Sequence, residues 1–167
     1  MDLTYRPRRL RRTSALRSLV RENFLGPEDF IYPLFVHEGS EIEQIPAMPG
    51  ANRWTIDALI GEVQRAWELG IRCVVLFPKV PQNLKTEDAS ECFNDKGLIP
   101  RAIRRLKKEI PEMTIMTDVA LDPYSCDGHD GIVSDSGVVL NDETIDSLCK
   151  QAVVQAHAGA DLIGPSD

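Results

Sequence analysis

The sequence lacks both the long apolar run of a membrane protein and the leader of a secreted one. Its 167 residues contain no uninterrupted apolar stretch of the length that a spanning helix needs, which is about 18 residues. The start MDLTYRPRRLRR has no apolar segment behind its charges, unlike a secretory signal peptide. We therefore expect a cytoplasmic protein that does not bind membranes.

Cysteines are few, and no two of them are close together in the sequence. The four of them form no CxxC pair, and their spacing is not that of a small disulfide scaffold. Free thiols are expected. Hydrophobic residues make up 43% of the chain and charged residues 27%, which is typical of a globular domain long enough to bury a core.

Positive charge is concentrated at the start of the chain. Residues 1–21 contain seven arginines and one acidic residue, although the whole chain has a net charge of −7. Such a segment can bind nucleic acid or an anionic membrane, or can lie on the acidic surface of a neighbouring subunit. Since the rest of the chain is strongly acidic and leucines interleave with the arginines, we expect a subunit contact and no binding of nucleic acid.

Strand-like and helix-like segments alternate along the remainder of the chain. Thr55 is placed to cap the first helix and Gly70 to end it, and Pro78 is expected to stop the second strand. The third helix is expected to bury an apolar face formed by Ile145, Leu148, Cys149, Ala152 and Ala156. The predicted segments, in chain order, are a strand over 30–36, a helix over 56–67, a strand over 71–77, a helix over 99–110, a strand over 113–121, a helix ending before Gly159 and the start of a fourth strand at ADLIGPSD.

This alternation predicts an α/β fold with a parallel sheet and right-handed crossovers. The pattern alone does not choose between a doubly wound sheet and part of a (β/α)₈ barrel. A barrel typically needs about 250 residues, so in the barrel interpretation this chain forms half of one. Its first and fourth strands would then have unpaired edges, and the isolated chain would be prone to aggregate or partly molten.

Acidic residues cluster where the third strand ends. Parallel α/β proteins bind ligands at the carboxyl ends of their strands, and the two-residue period places Asp118 and Asp122 on one face there. The loop that follows adds Asp127 and Asp130. Carboxylates suit hard cations such as Mg²⁺. A solvated Asp/Gly turn stays an open alternative, above all for Asp127 and Asp135.

The segment DVALDPYSCDGHDG, residues 118–131, resembles the signature of the porphobilinogen synthase (5-aminolevulinate dehydratase) family. Further similar segments extend the resemblance over nearly the whole chain: RPRRLRR, LVREN, FIYPLFVHEG, MPG, GLIPRAIRRLK, NDETI and GADLIGPSD. The acidic loop is most similar to that of the members from plants and cyanobacteria.

The resemblance implies the N-terminal half of a (β/α)₈ TIM barrel preceded by an extended basic arm. Residues 1–27 would form the arm, and residues 28–167 the first three βα units and the fourth strand. The family consists of hydro-lyases that condense two molecules of 5-aminolevulinate to porphobilinogen, with loss of two waters, in haem and chlorophyll biosynthesis. The arm would join the subunits of a homo-oligomer similar to the family's octamer.

The resemblance also implies roles for single residues. Asp118 matches an active-site aspartate, and Ser166 matches a serine beside a catalytic lysine. The three cysteines that hold zinc in some members match Ala120, Asp122 and Asp130, which favours Mg²⁺ over catalytic Zn²⁺ and makes the two aspartates candidate metal ligands.

The family's two Schiff-base lysines match no position of this sequence, and most residues that bind substrate and the activating magnesium are expected outside it as well. We therefore expect the chain alone to be inactive. Three alternatives stay open: another Schiff-base barrel lyase or aldolase in which Lys79 forms the imine, a truncated regulatory subunit of the oligomer, and a binding module that uses its basic arm.

Overall fold

The computed structural model describes residues 4–167. These residues form six strands and four α-helices, the first helix lying in the N-terminal segment, with additional 3₁₀ turns at Pro7–Arg11, Pro27–Asp29, Gln82–Leu84 and Ser90–Phe93. The strands are β1 (Ile31–His37), β2 (Glu43–Gln44), β3 (Asn52–Trp54), β4 (Cys73–Lys79), β5 (Thr114–Val119) and β6 (Leu162–Pro165). The helices are α1 (Ser14–Leu19), α2 (Ile56–Glu68), α3 (Leu98–Glu109) and α4 (Asn141–Ala158).

The strands form one sheet in the order β2-β3-β1-β4-β5-β6. Strands β1, β4, β5 and β6 pair in parallel in chain order, and α2, α3 and α4 connect them. The main core lies between this sheet and the helices, where Leu59, Ile103 and Leu106 are fully buried. The predicted α/β fold with a parallel sheet is therefore confirmed.

The sequence led us to expect an unpaired edge at the first strand, but part of that edge is paired. The loop rich in proline and glycine that follows β1 contains the short strands β2 and β3, which pair antiparallel with each other. β3 then pairs in parallel with the end of β1, where Phe35 lies opposite Arg53 and Val36 opposite Trp54. In the described part of the chain β6 pairs with β5 alone, so the last strand does present an open edge.

The limits of α2 follow from its two end residues, as predicted. The Thr55 side chain accepts a hydrogen bond from the Ala58 N–H at 3.2 Å, which satisfies one of the free donors of the first turn. Gly70, just past the helix, has φ +96°, a left-handed conformation that other residues adopt only with strain.

Pro78 does not end the second strand of the main sheet, so that prediction was wrong. β4 continues to Lys79, and its pairing with β1 extends to the pair His37 and Lys79. Its pairing with β5 stops earlier, at the pair Leu76 and Thr117. Proline lacks a backbone N–H, and the loss of this donor interrupts the pairing of β4 with β5 but not its pairing with β1.

The buried face of α4 also differs from the prediction. The helix buries Thr144, Ser147, Gln151, Gln155 and Ala158, whereas Ile145, Cys149 and Ala156 are exposed and Leu148 and Ala152 are half-buried. The apolar stripe was thus assigned to the wrong side. The polar residues are buried because the helix packs over the end of β5, where backbone groups need hydrogen-bond partners.

The N-terminal segment, from Thr4 to Asp29, makes little contact with the sheet. Thr13 caps α1 by accepting a hydrogen bond from the Leu16 N–H, and none of the helical residues of the segment is buried. Large apolar side chains are exposed on it, with Tyr5 at 78%, Leu19 at 81% and Phe24 at 74%. Such a surface is unusual for an isolated chain and suits a contact with another molecule.

Two further expectations concern the whole described chain. All four cysteines are free thiols, as predicted. Within residues 4–167, no helix has the length and apolar character needed to cross a membrane.

Candidate active site at the strand ends

Asp118 and Ser166, the two predicted active-site residues, lie in contact. β5 and β6 pair in a register that places Asp118 opposite Gly164, so Ser166, two residues on, lies beside the end of β5. The Ser166 hydroxyl donates a hydrogen bond of 2.6 Å to Oδ1 of Asp118. This bond fixes the orientation of the half-buried carboxylate and leaves its second oxygen for another donor.

Asp122 and Asp130, the predicted metal ligands, also come together, and Asp167 joins them. One carboxylate oxygen of each residue lies within 4.8 Å of those of the other two. Sequence reasoning missed Asp167, although the same rule could have found it: Asp122 follows the end of β5 and Asp167 follows the end of β6. Asp127 and Asp135 are not part of this group, which agrees with their interpretation as solvated loop residues.

The backbone holds Asp167 in place. Its Oδ2 accepts a hydrogen bond of 2.7 Å from the Leu121 N–H, just beyond the end of β5. The Val119 carbonyl accepts a further bond from the Ser166 N–H at 3.4 Å. The ends of β5 and β6 are therefore joined through both backbone and side-chain bonds.

The negative charges of the group act on one another. Partial loss of contact with water raises the pKa of Asp122, the charges of Asp130 and Asp118 add to the effect, and Lys85 opposes it. The pKa of Asp167 is raised by the same partial desolvation and by the neighbouring carboxylates, against the hydrogen bond from Leu121, which lowers it. A cation at this site would relieve the repulsion.

The donor set fits a hard divalent cation. The group offers three carboxylates and no thiolate or imidazole, which are the ligands that structural and catalytic zinc prefer. Cys126, the nearest cysteine in the sequence, directs its Sγ to its neighbour Asp127 at 3.6 Å. Mg²⁺ binds carboxylate oxygens and keeps several waters, so Asp122, Asp130 and Asp167 could hold it.

Lys79, the imine-forming residue of one alternative, is ion-paired. Its Nζ donates to both carboxylate oxygens of Glu43, at 2.8 and 2.7 Å, and Arg53 lies 3.3 Å from the same carboxylate. The hydrogen bond from Lys79 is the main cause that holds the pKa of Glu43 below its usual value. Imine formation needs an amine directed at the substrate, and the Lys79 amine is instead directed at the Glu43 carboxylate, so the geometry does not favour Lys79 as the nucleophile.

Taken together, the fold and the site define a parallel α/β protein with carboxylate and hydroxyl groups at the carboxyl ends of its strands, an arrangement typical of α/β enzymes. Comparison with known proteins narrows this class. The family model described as "Delta-aminolevulinic acid dehydratase" matches residues 4–167. The chain therefore belongs to the delta-aminolevulinic acid dehydratase family.

Known proteins resemble this chain in both sequence and fold. The chloroplastic delta-aminolevulinic acid dehydratase of Selaginella martensii is 56% identical over 169 residues that cover 100% of this chain and 40% of the relative. That of Glycine max is 54% identical and is covered to 41% of its length. A crystal structure of the Toxoplasma gondii enzyme in complex with its reaction product porphobilinogen has a TM-score of 0.96 and 49% identity, and the match covers 99% of this chain and 47% of that one. The chain thus spans less than half the length of these relatives.

Proposed function

We propose that this chain supplies the N-terminal part of a porphobilinogen synthase, a hydro-lyase that condenses two 5-aminolevulinate molecules to porphobilinogen with loss of two waters. The family match over all described residues carries the proposal. The contact between Asp118 and Ser166 supports it, because two residues that are 48 positions apart come together where a parallel sheet binds its ligand.

The proposed architecture is half of a (β/α)₈ barrel, with residues 28–167 as its first three βα units and fourth strand. The superposition on 47% of the Toxoplasma gondii chain and the open edge of β6 support it. In a closed barrel the inner face of β5, where Met116 and Asp118 alternate with buried residues, would face the remaining strands.

Within the site we assign Asp118 and Ser166 to the substrate side. Asp118 carries the negative charge that an amine of the substrate would contact, and Ser166 holds that carboxylate in one orientation. Asp122, Asp130 and Asp167 would hold Mg²⁺, which supplies positive charge where three carboxylates repel one another. The Schiff-base lysines would come from the part of the enzyme that this chain does not match.

The arm, residues 1–27, is proposed to join subunits of a homo-oligomer. It combines exposed apolar side chains with seven arginines, whereas the rest of the chain is acidic, so a second copy offers complementary charge and apolar surface. The relatives carry the word chloroplastic in their names, which makes a plastid the compartment to test against the cytoplasm expected from the sequence.

Grafting tests the function directly. In the grafted enzyme, this chain replaces the matching 41% of the Glycine max relative. We expect it to form porphobilinogen from 5-aminolevulinate, and we expect the 167-residue chain by itself to form none.

Size-exclusion chromatography provides the control by comparing assembly of the grafted enzyme with that of the unaltered relative. A grafted enzyme that assembles normally but lacks activity would contradict the proposed function. Turnover by the purified chain alone would contradict the assignment of the lysines to the remaining part.

A further inference from the structure

The direction of the backbone groups on β5 alternates along the strand. The Thr114 N–H donates to the Arg72 carbonyl, just before β4. The carbonyls of Ile115 and Val119 accept instead from the N–H groups of Asp161, just before β6, and Ser166, just after it. Even-numbered residues of β5 therefore bond towards β4 and odd-numbered ones towards β6. The carbonyls of Asp118 and Ala120 face the β4 side.

On that side the hydrogen-bond ladder is interrupted at Pro78. The last pair of β4 and β5 is Leu76 with Thr117. If the parallel ladder continued in this register, the Asp118 carbonyl would accept from the backbone nitrogen of residue 78, but proline has no N–H to donate. The carbonyl of the candidate active-site residue thus loses its normal partner.

Two glutamines of α4 supply the missing donors. Gln155 donates its Nε2 to the Asp118 carbonyl at 3.1 Å, and Gln151, one helical turn earlier, donates to the Ala120 carbonyl at 3.3 Å. Both side chains are almost completely buried, with residue exposures of 1% and 0%.

The burial of these amides is costly for the fold. The Oε1 atoms of both Gln151 and Gln155 are buried without a hydrogen-bond partner. A buried, half-satisfied amide costs free energy that an apolar side chain of the same size would not, so stability alone does not favour glutamine here. What the two residues provide is a fixed position for the end of β5.

We propose that Gln155, supported by Gln151, is a positioning residue that replaces the backbone bond lost at Pro78 and holds Asp118 in the orientation in which it meets Ser166 and the substrate. The assignment of Asp118 to the substrate side rests on the proposed function. The hydrogen bonds themselves do not depend on it.

A double-mutant cycle in the grafted enzyme tests the proposal. Gln155→Met preserves the volume and removes the donor, and we expect kcat to fall at least about tenfold with KM and the thermal midpoint little changed. Pro78→Ala restores a backbone N–H on the facing strand, so in the double variant we expect at least about threefold recovery of kcat. Gln64→Met, at an exposed position of α2, is the matched control and should leave kcat unchanged.

Equal kcat for Gln155→Met and its parent would overturn the proposal, and so would additive effects of Gln155→Met and Pro78→Ala. Failure of the proposed function would appear differently, as an inactive parent enzyme.

A second variant covers the case in which Gln155→Met does not fold. The protonated carboxyl of Gln155→Glu can donate to the Asp118 carbonyl, but its carboxylate cannot. The Leu121 amide lies just beyond the end of β5 and reports on the opening of that end. In Gln155→Glu its hydrogen exchange should be as slow as in the parent at low pH and should become faster than in the parent as the pH rises. Exchange that follows the parent at every pH would overturn the proposal without any measurement of activity.

Discussion

At the scale of single residues, the carboxylates of Asp122 and Asp167 stabilise the fold less when they are charged than when they are protonated. The pKa values of Asp122 and Asp167 are raised in the folded chain, so these groups bind protons more tightly there than in the unfolded chain. Their contribution favours the folded state below the ordinary aspartate pKa of about 3.9, and it is lost as the pH rises through the raised values.

Removing one charge should therefore stabilise the protein at neutral pH. For Asp130→Asn in the grafted enzyme with chelator present, we expect the thermal midpoint to rise by about 2–3 °C at pH 7.5 and to stay unchanged near pH 3. Asp135→Asn, in the exposed part of the same loop, is the control and should shift neither midpoint.

Adding Mg²⁺ should favour the parent over Asp130→Asn in thermal stability. If the three carboxylates bind Mg²⁺, adding it raises the midpoint of the parent more than that of Asp130→Asn, because the variant has lost a ligand. Equal shifts in both proteins would rule out Asp130 as a ligand.

At the scale of the elements, α2 is joined to β1 by a buried charged group. Glu62, whose side chain is 6% exposed, accepts a 2.6 Å hydrogen bond from the Tyr32 hydroxyl and two from the Arg65 guanidinium. Burial raises the pKa of Glu62, but the hydrogen bonds from Arg65 and Tyr32 outweigh it and leave the pKa below the usual value. Burial and the bond to Glu62 raise the pKa of Tyr32 to about 12.

Glu62→Gln should destabilise the fold in a pH-dependent way. Because the pKa of Glu62 is lowered, its stabilising effect is present above the ordinary glutamate pKa of about 4.3 and is lost as the pH falls through the lowered value. We expect a loss of about 1–3 kcal/mol in the free energy of unfolding at pH 7, measured by urea denaturation, and a smaller one at pH 3. Glu68→Gln, exposed on the same helix, should lose less than about 0.5 kcal/mol.

The elements also show where sequence reasoning works and where it fails. The ends of α2 and the alternation of β5 were predictable, because Thr55, Gly70 and the two-residue period act locally. The buried face of α4 was not, since Gln151 and Gln155 are buried where they donate hydrogen bonds to two carbonyls at the end of β5. For the same reason Pro78 misled the prediction: only the sheet register reveals which edge of β4 loses a donor.

At the scale of the whole molecule, the N-terminal segment from Thr4 to Asp29 exposes apolar residues that the rest of the described chain leaves uncovered. Leu19 and Phe24 are 81% and 74% exposed, and Arg21 lies over the Phe24 ring at 5.7 Å from its centroid. In an oligomer formed through the arm, both side chains would become buried.

Replacing them should therefore weaken assembly and leave the subunit fold intact. For Leu19→Ser combined with Phe24→Ser in the grafted enzyme, we expect smaller particles in size-exclusion chromatography with light scattering and an unchanged circular dichroism spectrum. Leu69→Ser, at a body position that is 60% exposed, serves as the control. An unchanged particle size in the double variant would exclude these arm residues from the interface.

The strand order of the main sheet has a consequence for how the chain folds during synthesis. β1, β4, β5 and β6 lie side by side in the order in which a ribosome releases them, and β3, which pairs with β1, is released before β4. The partner of each new strand of the main sheet has thus already been synthesised, so no early strand of it would have to remain unpaired until a distant segment is made. Growth of the sheet from β1 to β6 would proceed from one side only, by addition of each strand to the one before it.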